Sequence, residues 1–169
     1  NLLMNGNVFL YYGEELGMKG SGKDENKRAP MYWSKDGNAE GMCKGPADMD
    51  DFRMKFDSLE EQQEDPDSIY NYVKQVIRVR NQNPVIARGT TAYLEQYSGE
   101  QCFALTRSYE GSNLLLLGNT SAEAVSVDLT GLTVGGTTAE ELVLLGELYT
   151  GEETAERAGT VVTLPAYSI

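Results

Sequence analysis

The sequence predicts a mainly β protein in which an antiparallel β module, sandwich or barrel, follows a short α/β piece. Three observations predict it. One strongly periodic helical pattern occupies residues 65–84. Short runs with a period near two fill the chain after residue 90. A single continuous apolar run, VFLYY, stands at residues 8–12.

The run VFLYY has the composition of a strand buried on both faces, as in a parallel sheet. Gly13 ends it. Residues 17–65 are rich in Gly, Lys, Asp, Asn and Met and hold little periodicity, which predicts loop with a short helical turn near DSLEEQ. In DPDSIYNYVKQVIRVRNQNP, Asp65 suits an N-cap and Pro66 the first helical position. Ile69, Tyr72, Val73, Val76 and Ile77 recur at spacings of three and four and form one apolar face. Arg78 and Arg80 fall in the last turn, and Pro84 bars continuation.

Beyond residue 90 the runs TAYLEQY, QCFALTRSY, NLLLLGNT, AVSVDL, LVLLGELYT and TVVTLPAYSI read as strands. SGE, EGS, NTSAE, TVGGTT and GEETAERAG separate them as turns. Six or so closely spaced strands without helices call for a small antiparallel sandwich or barrel.

Composition narrows the function. The 169 residues carry 14 Lys and Arg against 26 Asp and Glu, a net charge of −12 that repels nucleic acid and anionic membranes. There is no histidine, so the chain holds no Ser-His-Asp or Cys-His mechanism and no histidine metal site. Cys43 and Cys102 have no metal-ligand spacing and read as free thiols. No apolar run approaches the ~18 residues of a membrane span. The chain begins NLLMNGN without an initiator methionine, which predicts a piece of a longer protein. Its compartment is not legible.

The stretch LGMKGSGKDENKRAPMYW contains Gly17, Gly22 and Lys23 at the spacing of a nucleotide-binding phosphate loop. Asp24 stands where a magnesium-binding Ser or Thr belongs, and Pro30 follows without helical periodicity. The glycines therefore read as a turned loop and KDENKR as a solvated charge run. RAPMYW is different: Arg28 beside Tyr32 and Trp33 fits either a sugar or carboxylate contact or a packed corner.

The segments VFLYYGEELGM, DENKRAPMYW and DPDSIYNYVKQVIRVRNQNPVIARG, in that order, resemble the C-terminal part of the α-amylase family, glycoside hydrolase family 13. There they correspond to the eighth barrel strand, the loop after it and the eighth helix. Residues 91–169 then look like the family's β-sandwich domain C, with LPAYSI as its closing strand. The resemblance implies two domains: residues 1–90 as the last βα unit of a (β/α)8 barrel, incomplete, and residues 91–169 as domain C. The implied fold is thus a mainly β, domain C-like antiparallel sandwich preceded by a partial α/β piece.

By the same resemblance the parent is a retaining glycoside hydrolase, of α-amylase or α-glucosidase type, acting on starch or maltooligosaccharides. Retention needs two carboxyl groups about 5–5.5 Å apart. The family takes them, and a third Asp, from strands upstream of the eighth. The fragment alone is therefore expected to carry no catalytic residue and no activity. Arg28, Glu15, Tyr32 and Trp33 are the substrate-binding candidates of the intact enzyme. No metal site or cofactor is assigned to the fragment, and calcium stays open for the full-length protein. Glu14 and Glu15 point apart on an extended chain and make a poor acid-base pair.

The acidic cluster Asp48, Asp50, Asp51, Glu60, Glu61 and Glu64 lacks the calcium-loop pattern and reads as a solvated face. The expected partners are the α-glucan of the intact enzyme and the missing barrel portion, with self-association through the open strand; nucleic acid and membrane are not expected. Two rivals stand beside this reading. One is a stand-alone carbohydrate-binding sandwich, using Tyr93, Tyr97, Tyr109 and Tyr149. The weaker one is a nucleotide binder at the glycine loop. The intact protein could be secreted, periplasmic or cytoplasmic.

Overall fold

The computed structural model describes residues 1–148 and 153–169. The chain divides into two compact units, one of residues Phe9–Gln75 and one joining Asn1–Val8 to Val76–Ile169.

The first unit is built mostly from loop. The expected strand VFLYY does not form: residues 8–12 have no strand partner among the described residues, and Phe9 is 85% exposed. Strand structure depends on neighbours that take up its N–H and C=O groups, and apolar composition alone cannot supply them. The chain turns instead at Gly13 (φ 89°) into a 3₁₀ turn, Glu14–Leu16, that buries Leu16. Gly17, at φ 62°, ends the turn; a Cβ there would lie 2.6 Å from Phe56 and 2.7 Å from Ile69, so only glycine fits.

Helix α1 (Leu59–Glu64) answers the expected turn at DSLEEQ. Glu61 accepts hydrogen bonds from the Ser58 hydroxyl (2.8 Å) and N–H (3.1 Å), closing the first turn. The buried side chain of Gln62 organises what surrounds it. Its amide donates to the carbonyls of Leu16 (3.0 Å) and Asp57 (2.7 Å), and its oxygen accepts from the Tyr70 N–H (3.1 Å).

Helix α2 (Ile69–Gln82) begins three residues later than its Asp-Pro signal puts it. Asp65 forms a turn with Asp67 and Ser68 instead. Ser68 then accepts the Asn71 N–H at 3.2 Å, so the serine takes the capping role expected of Asp65. Val76 is the most buried residue of the apolar face.

In the second unit α3 (Pro84–Arg88) buries Val85 and Ile86. Sheet A orders β1 (Thr90–Tyr93), β2 (Cys102–Tyr109) and β3 (Ser112–Asn119) antiparallel, with Tyr93 opposite Leu105 and Leu105 opposite Leu116. The β2–β3 turn puts Glu110 (φ 48°) and Gly111 (φ 82°) in the left-handed region, the two-residue hairpin geometry that matches strand twist. Sheet B orders β4 (Val125–Asp128), β8 (Val161–Leu164) and β7 (Glu156–Ala158).

A small hairpin, β5 (Thr133–Val134) and β6 (Thr137–Thr138), lies inside TVGGTT, with Gly135 and Gly136 at its tip. Ala104 of sheet A and Val127 and Leu164 of sheet B meet Tyr97, Leu129, Leu132, Val134 and Ala139 in one core, as a sandwich requires.

Two expectations fail locally. LVLLGELYT forms no strand over its described residues, 142–148, where Val143 is 88% exposed; its last two residues lie outside the described part. Strand β7 occupies a stretch that reads as a turn, because β8 offers it a free edge. Cys43 and Cys102 are both free. Among the described residues no helix is long and apolar enough to cross a membrane.

Candidate functional site

A concavity in the first unit surrounds the residues that follow Leu10. The Tyr11 and Tyr12 rings lie 4.8 Å apart at 42°. Their hydroxyls donate to the chain that returns over them, Tyr12 to the Ala29 carbonyl at 2.9 Å and Tyr11 to that of Lys27 at 3.4 Å. Burial, and next the neighbouring Tyr11, push the Tyr12 phenol above its ordinary value. A cavity of about 260 Å³ opens here, lined by Tyr11, Tyr12, Glu14, Met18, Lys19 and Asn26 among others. Two tyrosines and Glu14 share this lining, while the Lys19 ammonium lies over the Phe52 ring, 5.9 Å from its centre.

The loop over this cavity is held by Asn26. Its amide donates to the Ser21 carbonyl (2.8 Å) and to Asp50 (2.8 Å), and its oxygen accepts the Asp50 N–H (2.9 Å). Lys23 pairs with Asp50 at 2.7 Å. The Lys23 hydrogen bond, then that of Asn26, holds the Asp50 carboxyl below its ordinary value. The lysine of the phosphate-loop spelling is thus committed to a carboxylate, and only the three-residue turn Asn26–Arg28 follows it. Among the described residues no α-helix opens at Lys23 to present its N-terminus to a phosphate.

The expected substrate-binding residues are dispersed. Glu15 folds back on itself, accepting the Gly13 N–H at 2.8 Å. Because residues 14–16 form a 3₁₀ turn and not an extended chain, Glu14 and Glu15 project about 120° apart rather than to opposite faces. Glu14 lines the cavity and Glu15 does not. Arg28 is exposed; it pairs with Glu25 at 3.5 Å and donates from Nε to the Asp24 carbonyl at 3.3 Å.

Tyr32 and Trp33 lie beside α1, their carbonyls accepting the N–H groups of Leu59 (2.9 Å) and Glu60 (3.2 Å). RAPMYW therefore starts at the cavity, which Ala29 lines, and carries Tyr32 and Trp33 along the N-terminus of a helix, outside that lining. Tyr11, Tyr12 and Asn26 were not legible as site residues. The tyrosines sat inside an apolar run that reads as strand, and Asn26 inside a charge run.

Among the described residues no cluster of three Cys, Asp or Glu side chains is arranged to hold a metal ion. In the second unit the described tyrosines of the expected binding platform, Tyr93, Tyr97 and Tyr109, do not assemble. Tyr97 is buried in the core with its hydroxyl on the Thr130 carbonyl (3.2 Å), and Tyr149 lies outside the described residues. Tyr93 and Tyr109 pair at opposite ends of their strands, with Leu105 and Ser112.

Comparison with known proteins now bears on the site. The family model for the α-amylase catalytic domain matches residues 1–89, ending where β1 begins. Alpha-amylase 3 of Dictyoglomus thermophilum is 32% identical over 88 residues, 52% of this chain and 18% of its own length. The trehalose synthase of Thermus thermophilus is 27% identical over 139 residues, 76% of this chain and 14% of its own. Among solved structures, Amy13B of Eubacterium rectale superposes with a TM-score of 0.91 at 42% identity, covering 99% of this chain and 31% of that one. The chain thus spans less than a third of the length of each of these three.

Proposed function

This chain belongs to the α-amylase family, and on that premise we propose that it is the C-terminal part of a retaining glycoside hydrolase acting on α-glucans such as starch and maltooligosaccharides. One observation carries the reading: nearly the whole chain superposes on about a third of Amy13B of Eubacterium rectale, at a TM-score of 0.91, and on about a third of an α-amylase from H. orenii, at 0.73. The remaining length is where the catalytic carboxylates belong. A (β/α)8 active site is assembled from loops after several strands, so one βα unit cannot contain it.

Within that enzyme the segment at residues 8–12 takes its place as the last barrel strand. Its exposed Phe9 and Leu10 supply the apolar surface that the neighbouring strands cover. The loop carrying Glu14, Lys19 and Asn26 forms part of the cleft rim. Tyr11 and Tyr12 offer ring faces against which a glucose unit packs, with Glu15 beside Glu14 and Arg28, Tyr32 and Trp33 further along the same loop. The sandwich of residues 91–169 shields the barrel's flank.

The likeness to a trehalose synthase supports a second reading, in which the parent rearranges or transfers glucosyl units in place of hydrolysing them. Both readings leave this chain without the reacting carboxylates.

The test is turnover of a chromogenic maltoside by the chain alone and by the chain mixed with the upstream part of its own enzyme. The expected result is no turnover alone and hydrolysis on mixing. Enzyme-rate turnover by the 169-residue chain alone would refute the fragment reading. Product analysis on mixing separates hydrolysis from transfer, and retention on insoluble starch by the chain alone would revive the binding-module rival.

A further inference from the structure

Methionine is concentrated in the first unit. Met18, Met31, Met42, Met49 and Met54, five of the six in the sequence, fall within it, so a two-electron oxidant finds its thioether targets there. One of these sulfurs closes a seam between two loop segments. Phe52, Met54 and Phe56 alternate with Arg53 and Lys55, and all three meet residues 17–19. A Cβ on Gly17 would lie 2.6 Å from the Phe56 ring. The Lys19 ammonium stands 5.9 Å from the centre of the Phe52 ring. Between them the Lys19 N–H donates to the Met54 sulfur at 3.3 Å. Among the described residues no other hydrogen bond joins residues 17–20 to residues 52–56.

Met42 repeats the device. Its sulfur accepts the Ser34 hydroxyl at 3.7 Å, and Ser34, 6% exposed, accepts the Ala39 N–H at 3.1 Å. A thioether is a weak acceptor, and the lone pairs that accept the bond are also what an oxidant attacks. Met42 and Met54 are both half-buried, within reach of hydrogen peroxide.

In that reaction the sulfur gives up two electrons and the peroxide O–O bond breaks. One oxygen stays on the sulfur and the other leaves as water. An oxygen on the lone pair facing Lys19 does not fit into the 3.3 Å between sulfur and nitrogen. An oxygen on the other lone pair weakens the sulfur as an acceptor and makes the side chain polar in an aromatic seam.

We propose that the first unit is a redox-sensitive element: sulfoxide formation at Met54 parts residues 17–20 from residues 52–56, and reduction of the sulfoxide closes them again. Lys19 lines the Tyr11–Tyr12 cavity, so parting the seam removes a piece of its wall.

The test treats the 169-residue chain with hydrogen peroxide, then with dithiothreitol, which reverses sulfenic acid or disulfide at the free cysteines and leaves sulfoxides in place. Peptide mass spectrometry reads oxidation at each methionine. Urea titration followed by the emission of Trp33 reads the first unit. With Met54 fully oxidised, the midpoint is expected to fall by about 0.5 M or more. Methionine sulfoxide reductases for both sulfoxide epimers should restore it. Met54→Leu, which keeps the side-chain volume, should lose less than half as much under the same treatment. An unchanged midpoint at full Met54 oxidation overturns the proposal, and so does an equal fall in Met54→Leu. Resistance of Met54 under conditions that fully oxidise Met4, 49% exposed, overturns it too. Where Met54→Leu unfolds the unit, the reductase step on the parent decides, and a fall that the reductases do not reverse overturns the switch.

Discussion

Replacing Gln62 by Leu removes three hydrogen bonds from the first unit while keeping the side chain near its original volume, so no large cavity complicates the result. The lost bonds are those to the carbonyls of Leu16 and Asp57 and from the Tyr70 N–H. Asp57 is exposed and Tyr70 half-buried, so water can replace those two bonds at about 1 kcal/mol each. Leu16 is 1% exposed, and its carbonyl is left buried and unpaired, costing roughly 1–3 kcal/mol more.

The total is on the order of 3–5 kcal/mol. A unit of this size is expected to hold only about 3–10 kcal/mol, at roughly 0.05–0.15 kcal/mol per residue. The loss is therefore a large part of its stability. Trp33, the single tryptophan, lies in this unit, and its carbonyl binds the first turn of the helix that carries Gln62. Urea titration followed by tryptophan emission reports the unit separately. The Gln62→Leu transition should move to much lower urea or vanish, while the β-sheet circular dichroism of the sandwich melts where the parent's does. A midpoint shift worth less than about 1 kcal/mol would show that the Gln62 network does not hold these loops, and would refute the reasoning.

Asn119, 2% exposed, donates to the carbonyls of Glu123 (2.6 Å) and Pro165 (2.9 Å) and accepts the Ser121 N–H (2.9 Å), joining β3 to the chain after β8. Asn119→Ala should cost the sandwich about 2–4 kcal/mol, read as a lowered thermal midpoint, and an unchanged midpoint would contradict that role. Acid should weaken the first unit through Glu61. The Ser58 hydrogen bond, then the Lys35 one (3.0 Å), holds its carboxyl below the ordinary 4.5. A depressed carboxyl contributes stability above its unfolded value that is lost as pH falls through the folded one. The Trp33-detected urea midpoint should thus drop on acidification below pH 4.5, and Glu61→Gln should flatten that limb. A limb equally steep in the variant would assign the acid sensitivity to other groups.

The elements legible in the sequence are those whose stabilising partners lie close along the chain. Helix α2 carries its apolar stripe, its cap and its stop within twenty or so residues. The β2–β3 hairpin is announced by an Glu-Gly turn at Glu110 and Gly111 between two apolar runs. The RAPMYW and VFLYY segments were enough, with α2, to indicate the family. The candidate site was less legible. Arg28, Tyr32 and Trp33 stood out by residue type, yet the cavity is lined by Tyr11, Tyr12 and Glu14 through a turn that no local pattern announced.

What the sequence determined by itself, then, is the composition of this protein: one amphipathic helix, a run of short antiparallel strands, and no histidine for nucleophilic catalysis. The tertiary structure alone decided where partners were needed. VFLYY has strand composition but remains unpaired, since a strand forms only when a neighbour accepts its backbone bonds. ERA, read as a turn, becomes a strand because β8 presents an open edge. Arg80 and Arg107, unremarkable charges in the sequence, converge on the carbonyls of residues 2–6 only once the fold has brought positions more than seventy residues apart together.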